Sequence, residues 1–146
     1  MATPSGAYQT AFPVLPGDVD GAGHVNNVVY LRWVQETAIA HWTATAPERV
    51  QRAIGWVVLR HEIDYLRAAL PGDTVRARTW VGREDGVRVE RHTEIVRERD
   101  GAVLARARTL WCPLSTATGR PLRVTDELRT LFTSEPAAEP LAPRGR

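Results

Sequence analysis

The alternation of apolar and polar positions changes character along the chain. Residues 7–14 alternate over a short stretch and predict a strand, which Pro13 and Pro16 end because proline cannot donate to a β-ladder. From about residue 26 to residue 44, apolar positions recur at three- and four-residue steps, the pattern of a helix. The apolar stripe is wide enough to cover most sides of this helix, which is typical of a buried helix.

Long runs with a period of two follow the helix and predict antiparallel strands. They span residues 55–67, 74–83, 87–98 and 102–114. The connections between them are rich in Gly, Asp and Pro, and residues 125–132 predict a short amphipathic helix. One antiparallel sheet with one long helix to cover its apolar face predicts an α+β domain. We expect this domain to occupy residues 1–133 and the Pro- and Ala-rich residues 134–146 to be a flexible tail.

The composition narrows the class of protein. With 146 residues, 43% apolar and 25% charged, the chain is expected to form one soluble domain. The single cysteine, Cys112, excludes an internal disulfide. The sequence has no cluster of Cys and His residues at the spacing of metal ligands, so we expect neither a metal site nor a cofactor. No apolar run is long enough to cross a bilayer, and the N-terminus lacks the pattern of a signal peptide. A cytoplasmic location and no membrane partner are therefore expected.

Arginine supplies all 19 basic residues, and the net charge is only +2. Many of these arginines recur at strand-like spacing: Arg76, Arg78, Arg83, Arg88, Arg91, Arg97, Arg99, Arg106 and Arg108. We interpret them as one solvated sheet face that carries both signs of charge, and not as a nucleic-acid surface. A weaker alternative is that some of them contact the phosphates of coenzyme A or of a carrier-protein pantetheine arm.

The densest candidate chemistry lies in residues 17–27 (GDVDGAGHVNN), just before the predicted helix. This places the Asp20 carboxylate on a Gly-rich loop beside helix amides that have no intrahelical acceptor. Such amides stabilise the oxyanion that develops when a thioester carbonyl is attacked. Asp20 is then suited to activate a water or to attack the carbonyl directly. The alternative is an Asx turn that only caps the helix.

The stretch at residues 18–33 (DVDGAGHVNNVVYLRW) resembles the active-site segment of the 4-hydroxybenzoyl-CoA thioesterase-like hotdog family. It is also similar to the Asp…His-Val-Asn-Asn segment of the plant acyl-ACP thioesterases, which share that fold. The order of predicted elements matches over roughly residues 7–132, including HEIDY at residues 61–65. The resemblance implies a hotdog fold, an antiparallel sheet of about five strands wrapped around one long central helix. It also implies hydrolysis of acyl thioesters without a cofactor.

Carried onto this chain, the resemblance assigns Asp20 as the nucleophile or general base. It places the oxyanion amide at Asn26, with Val25 and Asn27 as its neighbours. His24 matches a histidine that is implicated in catalysis in the acyl-ACP thioesterases.

Two positions depart from the acyl-ACP thioesterase pattern. Ala22 stands where those enzymes carry an Asn, and Val57 aligns with their Glu in the strand after the helix. A simpler arrangement with a single carboxylate is therefore favoured. Tyr30 is a candidate to line the acyl pocket, although a large aromatic side chain also suits the core.

The expected substrate is an acyl-CoA or an acyl-carrier protein, and the acyl group stays open. The resemblance implies a homodimer or homotetramer with active sites between subunits, and unpaired edges of a small sheet favour the same assembly. Two alternatives remain. Asp20 and His24 are also the groups that a hotdog dehydratase or hydratase would need, and a non-catalytic acyl-thioester binding module would need neither.

Overall fold

The computed structural model describes residues 3–133, and this part of the chain forms one antiparallel sheet and three α-helices. The elements in chain order are β1 (Tyr8–Pro13), α1 (Asn27–Thr45), α2 (Glu48–Ala53), β2 (Ile54–Tyr65), β3 (Thr74–Glu84), β4 (Val89–Arg97), β5 (Val103–Ser115) and α3 (Asp126–Thr133). A 3-10 turn at Pro16–Asp18 follows β1. This confirms the α+β class, while the predicted tail at residues 134–146 lies outside the described residues.

The sheet has the order β1-β3-β4-β5-β2, with every neighbouring pair antiparallel. The connections from β3 to β4 and from β4 to β5 are short, and each has a glycine with positive φ, Gly86 at 96° and Gly101 at 73°. Residues with a Cβ rarely adopt that conformation, so these glycines allow the chain to reverse. The two edges of the sheet are β1 and β2.

Helix α1 packs against the sheet through large side chains that meet small ones. Trp33 and Val34 are fully buried, and Tyr30 is 2% exposed. Alanines and medium-sized side chains complete this core on the strands, namely Val75, Ala77, Ile95, Leu104, Ala105 and Ala107. A second apolar cluster joins the C-terminal end of α1 to α2, α3 and the far ends of the strands.

A β-bulge at Leu59 corrects the predicted alternation in β2. Strict alternation over the predicted strand at residues 55–67 would place Leu59 on one face with His61. In the structure Val58 pairs with Trp111 and Arg60 with Leu110, which leaves Leu59 as the extra residue. Leu59 is 52% exposed as a result. The bulge keeps the apolar residues before it and His61 after it on the helix-facing side.

Most of the strand arginines do form ion pairs with carboxylates, as expected for a face that carries both signs. The pairs include Arg76 with Glu98, Arg78 and Arg106 with Glu94, and Arg108 with Glu62 and Glu90. Arg91 is different, and its assignment to that face was wrong. It lies at an odd position of β4, on the side that faces α1, and it is only 5% exposed.

The long helix is less enclosed than its apolar pattern predicted. Val28 is 68% exposed and Ile39 is 55% exposed, because one sheet covers only one side of α1. The segment after Pro47, which lies between the predicted helix and the next predicted strand, forms α2. Within residues 3–133, no helix is both long and apolar enough to span a membrane.

Candidate functional site

A tight hairpin shapes residues 19–25, here called the Asp20 loop. Its two end residues form an antiparallel bridge. The Asp20 N–H donates to the His24 carbonyl at 2.8 Å, and the Gly23 N–H donates back to the Asp20 carbonyl at 3.1 Å. Gly23 has a φ of 81°, the left-handed conformation that a three-residue hairpin loop of this kind requires. The loop therefore holds Asp20 at a defined position.

Asp18 is the carboxylate that anchors this loop to the helix. It is 4% exposed. Its Oδ2 accepts the Leu15 N–H at 2.9 Å, and its Oδ1 pairs with Arg32 Nη2 of α1 at 2.8 Å. Its backbone carbonyl accepts the Asn26 N–H at 2.8 Å. The environment of Asp18 is that of a structural residue.

Asp20 has a different environment from Asp18. It is exposed, and its Oδ1 accepts the Ala22 N–H at 2.9 Å and the His24 N–H at 3.3 Å. These are the bonds of an Asx turn, so one half of the carboxylate shapes the loop. Within residues 3–133, Oδ2 of Asp20 accepts no hydrogen bond. One carboxylate oxygen is thus left for chemistry.

The backbone N–H groups at the start of α1 differ in whether they already have a hydrogen-bond acceptor. Val25 N–H donates to a backbone carbonyl after β2 at 3.1 Å, and Asn26 N–H donates to Asp18. Asn26 is the N-cap, and its side chain accepts from the amide two residues on. In the described part of the chain, the Asn27 N–H has no acceptor. Of the three amides predicted to bind an oxyanion, that of Asn27 remains available.

A pocket of about 280 Å³ lies between the Asp20 loop, the start of α1 and the end of β2. Five of the six predicted site residues line it, and they are Asp20, His24, Val25, Asn27 and Tyr30. The sixth, Asn26, caps the helix beside it. The opposite wall consists of Tyr65, Leu66, Arg67 and Ala68.

Two tyrosines fix the spacing between these walls. The Tyr30 hydroxyl accepts the Ala69 N–H at 2.8 Å, and burial raises the Tyr30 pKa above its usual range. The Tyr65 hydroxyl donates to the Asn27 carbonyl at 3.0 Å. Their rings meet edge to face, with centroids 5.3 Å apart and an angle of 87° between the planes. Tyr30 therefore belongs to both the core and the pocket, so its two predicted roles are compatible.

Sequence reasoning missed the wall at residues 65–68. The only signal was the HEIDY stretch, which ends at Tyr65 and was noted as part of the resemblance. Val57, which aligns with a family Glu, lies near the start of β2, where it pairs with Cys112, whereas this wall follows the end of β2. In the region that the structure describes, no group of three or more His, Cys, Asp or Glu side chains is placed to hold a metal ion.

Comparison with known protein families shows which superfamily the chain belongs to. The profile of the thioesterase-like superfamily matches residues 14–132, which include the Asp20 loop, α1 and all of β2 to β5. The chain belongs to this superfamily. The matched span covers most of the chain, so the site described above lies inside the family domain.

Individual relatives of this superfamily member agree on the fold. The 1,4-dihydroxy-2-naphthoyl-CoA thioesterase Slr0204 of Synechocystis superposes with a TM-score of 0.75 at 18% identity, covering 87% of this chain and 96% of that one. The probable thioesterase YbaW of Escherichia coli superposes with a TM-score of 0.73 at 25% identity, covering 85% and 95%. The hotdog fold expected from the sequence is confirmed by these structures.

Among curated proteins, the chain is similar to the chloroplastic palmitoyl-acyl carrier protein thioesterase of Cuphea hookeriana. The two are 30% identical over 105 residues, which is 66% of this chain and 25% of the relative. The chain thus spans about a quarter of the length of this relative.

Proposed function

We propose that this protein hydrolyses acyl thioesters at the pocket between the Asp20 loop and the start of α1. The observation that carries the proposal is the pairing of two unused groups in one pocket. Asp20 contributes a carboxylate oxygen without a donor, and Asn27 contributes a backbone N–H without an acceptor among residues 3–133. A base or nucleophile beside an oxyanion donor is the minimum that acyl transfer needs.

The Asn27 amide has the better position to bind the oxyanion. It is the first residue of α1, where the partial positive charge of the helix dipole is greatest. An amide that already donates to another carbonyl cannot bind an oxyanion without losing that bond, which describes Val25 and Asn26. We therefore assign the oxyanion to Asn27, within the set of amides expected from the sequence.

Asp20 acts by one of two balanced routes. As a general base it takes a proton from water, whose oxygen attacks the thioester carbonyl, and the proton then goes to the departing thiolate. As a nucleophile it forms a mixed anhydride with the acyl group and expels the thiolate, and water then cleaves the anhydride and supplies the proton that the thiolate takes up. Label in the Asp20 carboxylate after a single turnover in H₂¹⁸O identifies the nucleophilic route. If only the product acid is labelled, detection by mass of an acyl group on the chain in a quenched turnover identifies an anhydride that water attacks at the acyl carbonyl, and its absence favours the general base.

His24 orients the reacting groups in this scheme. Its imidazole is on an exposed residue that lines the pocket, and its backbone N–H donates to Asp20 Oδ1 at 3.3 Å. We assign His24 to hydrogen bonding with the substrate or the attacking water.

The thiol carrier is coenzyme A or an acyl-carrier protein. Among the relatives, the Synechocystis enzyme is described as acting on a CoA thioester and the Cuphea enzyme on an acyl-carrier-protein thioester. Arg67 is exposed on the pocket wall and forms no ion pair within residues 3–133, so its guanidinium is available to a phosphate of either carrier. Parallel assays with the same acyl group on both carriers would decide between them.

The assembly is a homodimer or homotetramer joined through β2. Of the two sheet edges, β1 has only six residues and ends at a proline, whereas β2 has twelve residues and exposes Val57 and Leu59. A long apolar edge is one that natural proteins cover or pair. The pocket wall at the end of β2 would then lie close to the partner subunit. A cytoplasmic location stays a prediction that cell fractionation would test.

A panel of acyl-CoA and acyl-carrier-protein thioesters, assayed with a thiol-trapping reagent, tests the activity. Aromatic, medium-chain and β-keto acyl groups should be included, since the acyl group is not known. Release of one thiol per acid formed is the expected result. Hydration of an enoyl-CoA without thiol release would instead identify a hydratase, and binding without turnover would identify a sensing module.

A further inference from the structure

A second pocket lies at the other end of α1 and shares no residue with the first. Its walls are formed by Ala38, Ile39, Trp42, Trp56, Val89, Arg91, Trp111 and Phe132, and we call it the aromatic pocket. Ala38 is eleven residues after Asn27 on α1, about 16 Å at the helical rise of 1.5 Å per residue. Within one chain, this pocket is therefore separate from the site assigned to hydrolysis.

Arg91 is the charged residue of the aromatic pocket, and no carboxylate among residues 3–133 pairs with it. Its Nη1 contacts His41 Nδ1 at 3.0 Å and Thr79 Oγ1 at 3.1 Å, and both partners are uncharged groups. Burial and then the charge of Arg91 lower the pKa of His41 to about 3, so this imidazole is neutral at physiological pH. Burial lowers the pKa of Arg91 to about 10, which leaves the guanidinium charged.

A buried charge without a counter-ion is costly, and natural proteins generally pair such charges. Other arginines of the described strands, such as Arg76, Arg97 and Arg108, have a carboxylate within 4.0 Å, and Arg83 is exposed to solvent. Arg91 is the strand arginine that is both buried and without a carboxylate among residues 3–133.

Two of the tryptophans that line the pocket also carry an unpaired donor, as do Trp33 and Trp80 elsewhere in the described chain. The indole Nε1 atoms of Trp56 and Trp111 are buried without an acceptor in the described part of the chain. The polar groups of Arg91, Trp56 and Trp111 are donors, which suits an anionic acceptor.

The size of the pocket limits the rest of the ligand. It encloses about 50 Å³. A dry cavity of roughly 150 Å³ accommodates benzene, and a single water needs roughly 10–15 Å³. An aromatic ring is therefore too large to enter fully, while the carboxylate and the first carbons of a short aliphatic acid such as butyrate fit. The apolar walls suit those methylene groups.

We propose that the aromatic pocket binds the carboxylate end of a short aliphatic chain, with Arg91 as its counter-ion. The ligand is a free short-chain carboxylic acid, since this pocket lies too far from Asn27 for the acyl group of a bound short-chain thioester to reach it. Such an acid supplies the negative charge that Arg91 lacks within residues 3–133.

Intrinsic fluorescence reports on this binding, because three of the five tryptophans of the chain line the pocket. We expect butyrate to change the emission of the full-length protein with saturation, and the neutral analogue butyramide to have no such effect. Arg91→Gln should weaken butyrate binding at least tenfold. The control is Arg106→Gln, which removes a solvent-facing arginine that pairs with Glu94, and it should bind butyrate like the wild type.

Equal responses to butyrate and butyramide, or no response at all, would overturn the proposal. Thermal melting separates binding from a structural role. If Arg91 serves a ligand, Arg91→Met removes an uncompensated charge and should melt at or above the wild-type temperature. If the wild type binds no butyrate and Arg91→Met melts well below the wild-type temperature, Arg91 has a structural role.

The fluorescence measurement needs no turnover, so it stands even if the proposed hydrolase activity fails.

Discussion

At the scale of single residues, Asp18 and Asp20 have the same chemistry and opposite environments. Asp18 is buried and used by Leu15 and Arg32, whereas Asp20 is exposed and keeps one oxygen unbonded within the described residues. Spacing alone could not separate them, because the burial of Asp18 depends on an arginine fourteen residues further along the chain. The family resemblance selected the second aspartate, and the geometry is consistent with that choice.

Replacing His24 with alanine should lower turnover by about tenfold, the equivalent of one hydrogen bond. The reason is that His24 orients the reacting groups and does not initiate the reaction. Its backbone bond to Asp20 survives the change, so the loop should keep its shape. Steady-state kinetics of His24→Ala and Asp20→Asn, measured side by side, show which substitution lowers turnover more. An equal loss in the two variants would contradict the orienting role.

Acid should destabilise the fold through His41. The pKa of His41 is lowered from 6.5 to about 3 by burial and by Arg91, so the unfolded chain binds a proton over this range while the folded chain does not. The free energy of unfolding should fall as the pH decreases from about 6.5 towards 3. His41→Gln keeps an acceptor for Arg91 without a titrating group and should flatten that slope. His61, whose pKa is also lowered by burial, leaves a residual slope.

Denaturant unfolding measured at several pH values between 3.5 and 7 provides this comparison. Identical acid slopes in the wild type and in His41→Gln would show that His41 does not carry the effect.

At the scale of elements, the start of α1 can be tested without disturbing the helix. Asn27→Pro deletes the backbone N–H that we assign to the oxyanion. Proline is favoured at the first position of a helix, and the preceding Asn26 already has the extended φ and ψ of −60° and 136° that proline requires. Turnover should fall about 100-fold, the loss typical of one oxyanion donor.

Asn27→Ala is the matched control, because it removes the same side chain and keeps the amide. It should retain near wild-type turnover, and circular dichroism should show equal helicity in both variants. Equal activity of the proline and alanine variants would remove the Asn27 amide from the mechanism.

Periodicity predicted the long elements to within about two residues, because each buries one face over many positions. It failed for α2, where six residues are too few to show a helical stripe and the burial of Val50 under α3 decides the structure. It also failed at Leu59, because a bulge depends on the pairing with β5. Arg91 was assigned to the wrong face because its charge was given more weight than its position in the strand. It is two residues from Val89 and four from Ile95, so strand alternation places it with them on the inner face.

At the scale of the whole molecule, the described chain exposes apolar side chains on β2 and on the outer side of α1. Val57 and Leu59 are 39% and 52% exposed, and Val28 and Ile39 are exposed as well. Pairing of two β2 edges would extend the hydrogen-bonded sheet and cover part of this surface. The sequence predicted an oligomer, and the exposed apolar residues of β2 now identify the β2 edge as the proposed interface.

Leu59→Glu should dissociate the assembly and lower activity together. Light scattering of the wild type at micromolar concentration should return a multiple of the 16.2 kDa chain mass, and activity per chain should fall on dilution. The control is Val87→Glu, which places the same charge on an exposed residue of the β3–β4 connection. A wild-type monomer with full activity would refute both the assembly and a site shared between subunits.

The most direct test of the account is thiol release by Asp20→Asn measured beside Asp18→Asn. Asparagine at position 20 keeps the oxygen that accepts from Ala22 and His24 but loses the charge, so folding should be preserved while turnover falls by about 100-fold or more. Asparagine at position 18 weakens the buried pair with Arg32 and should mainly lower the melting temperature. Near wild-type turnover in folded Asp20→Asn would contradict the assignment of this pocket as the hydrolytic site.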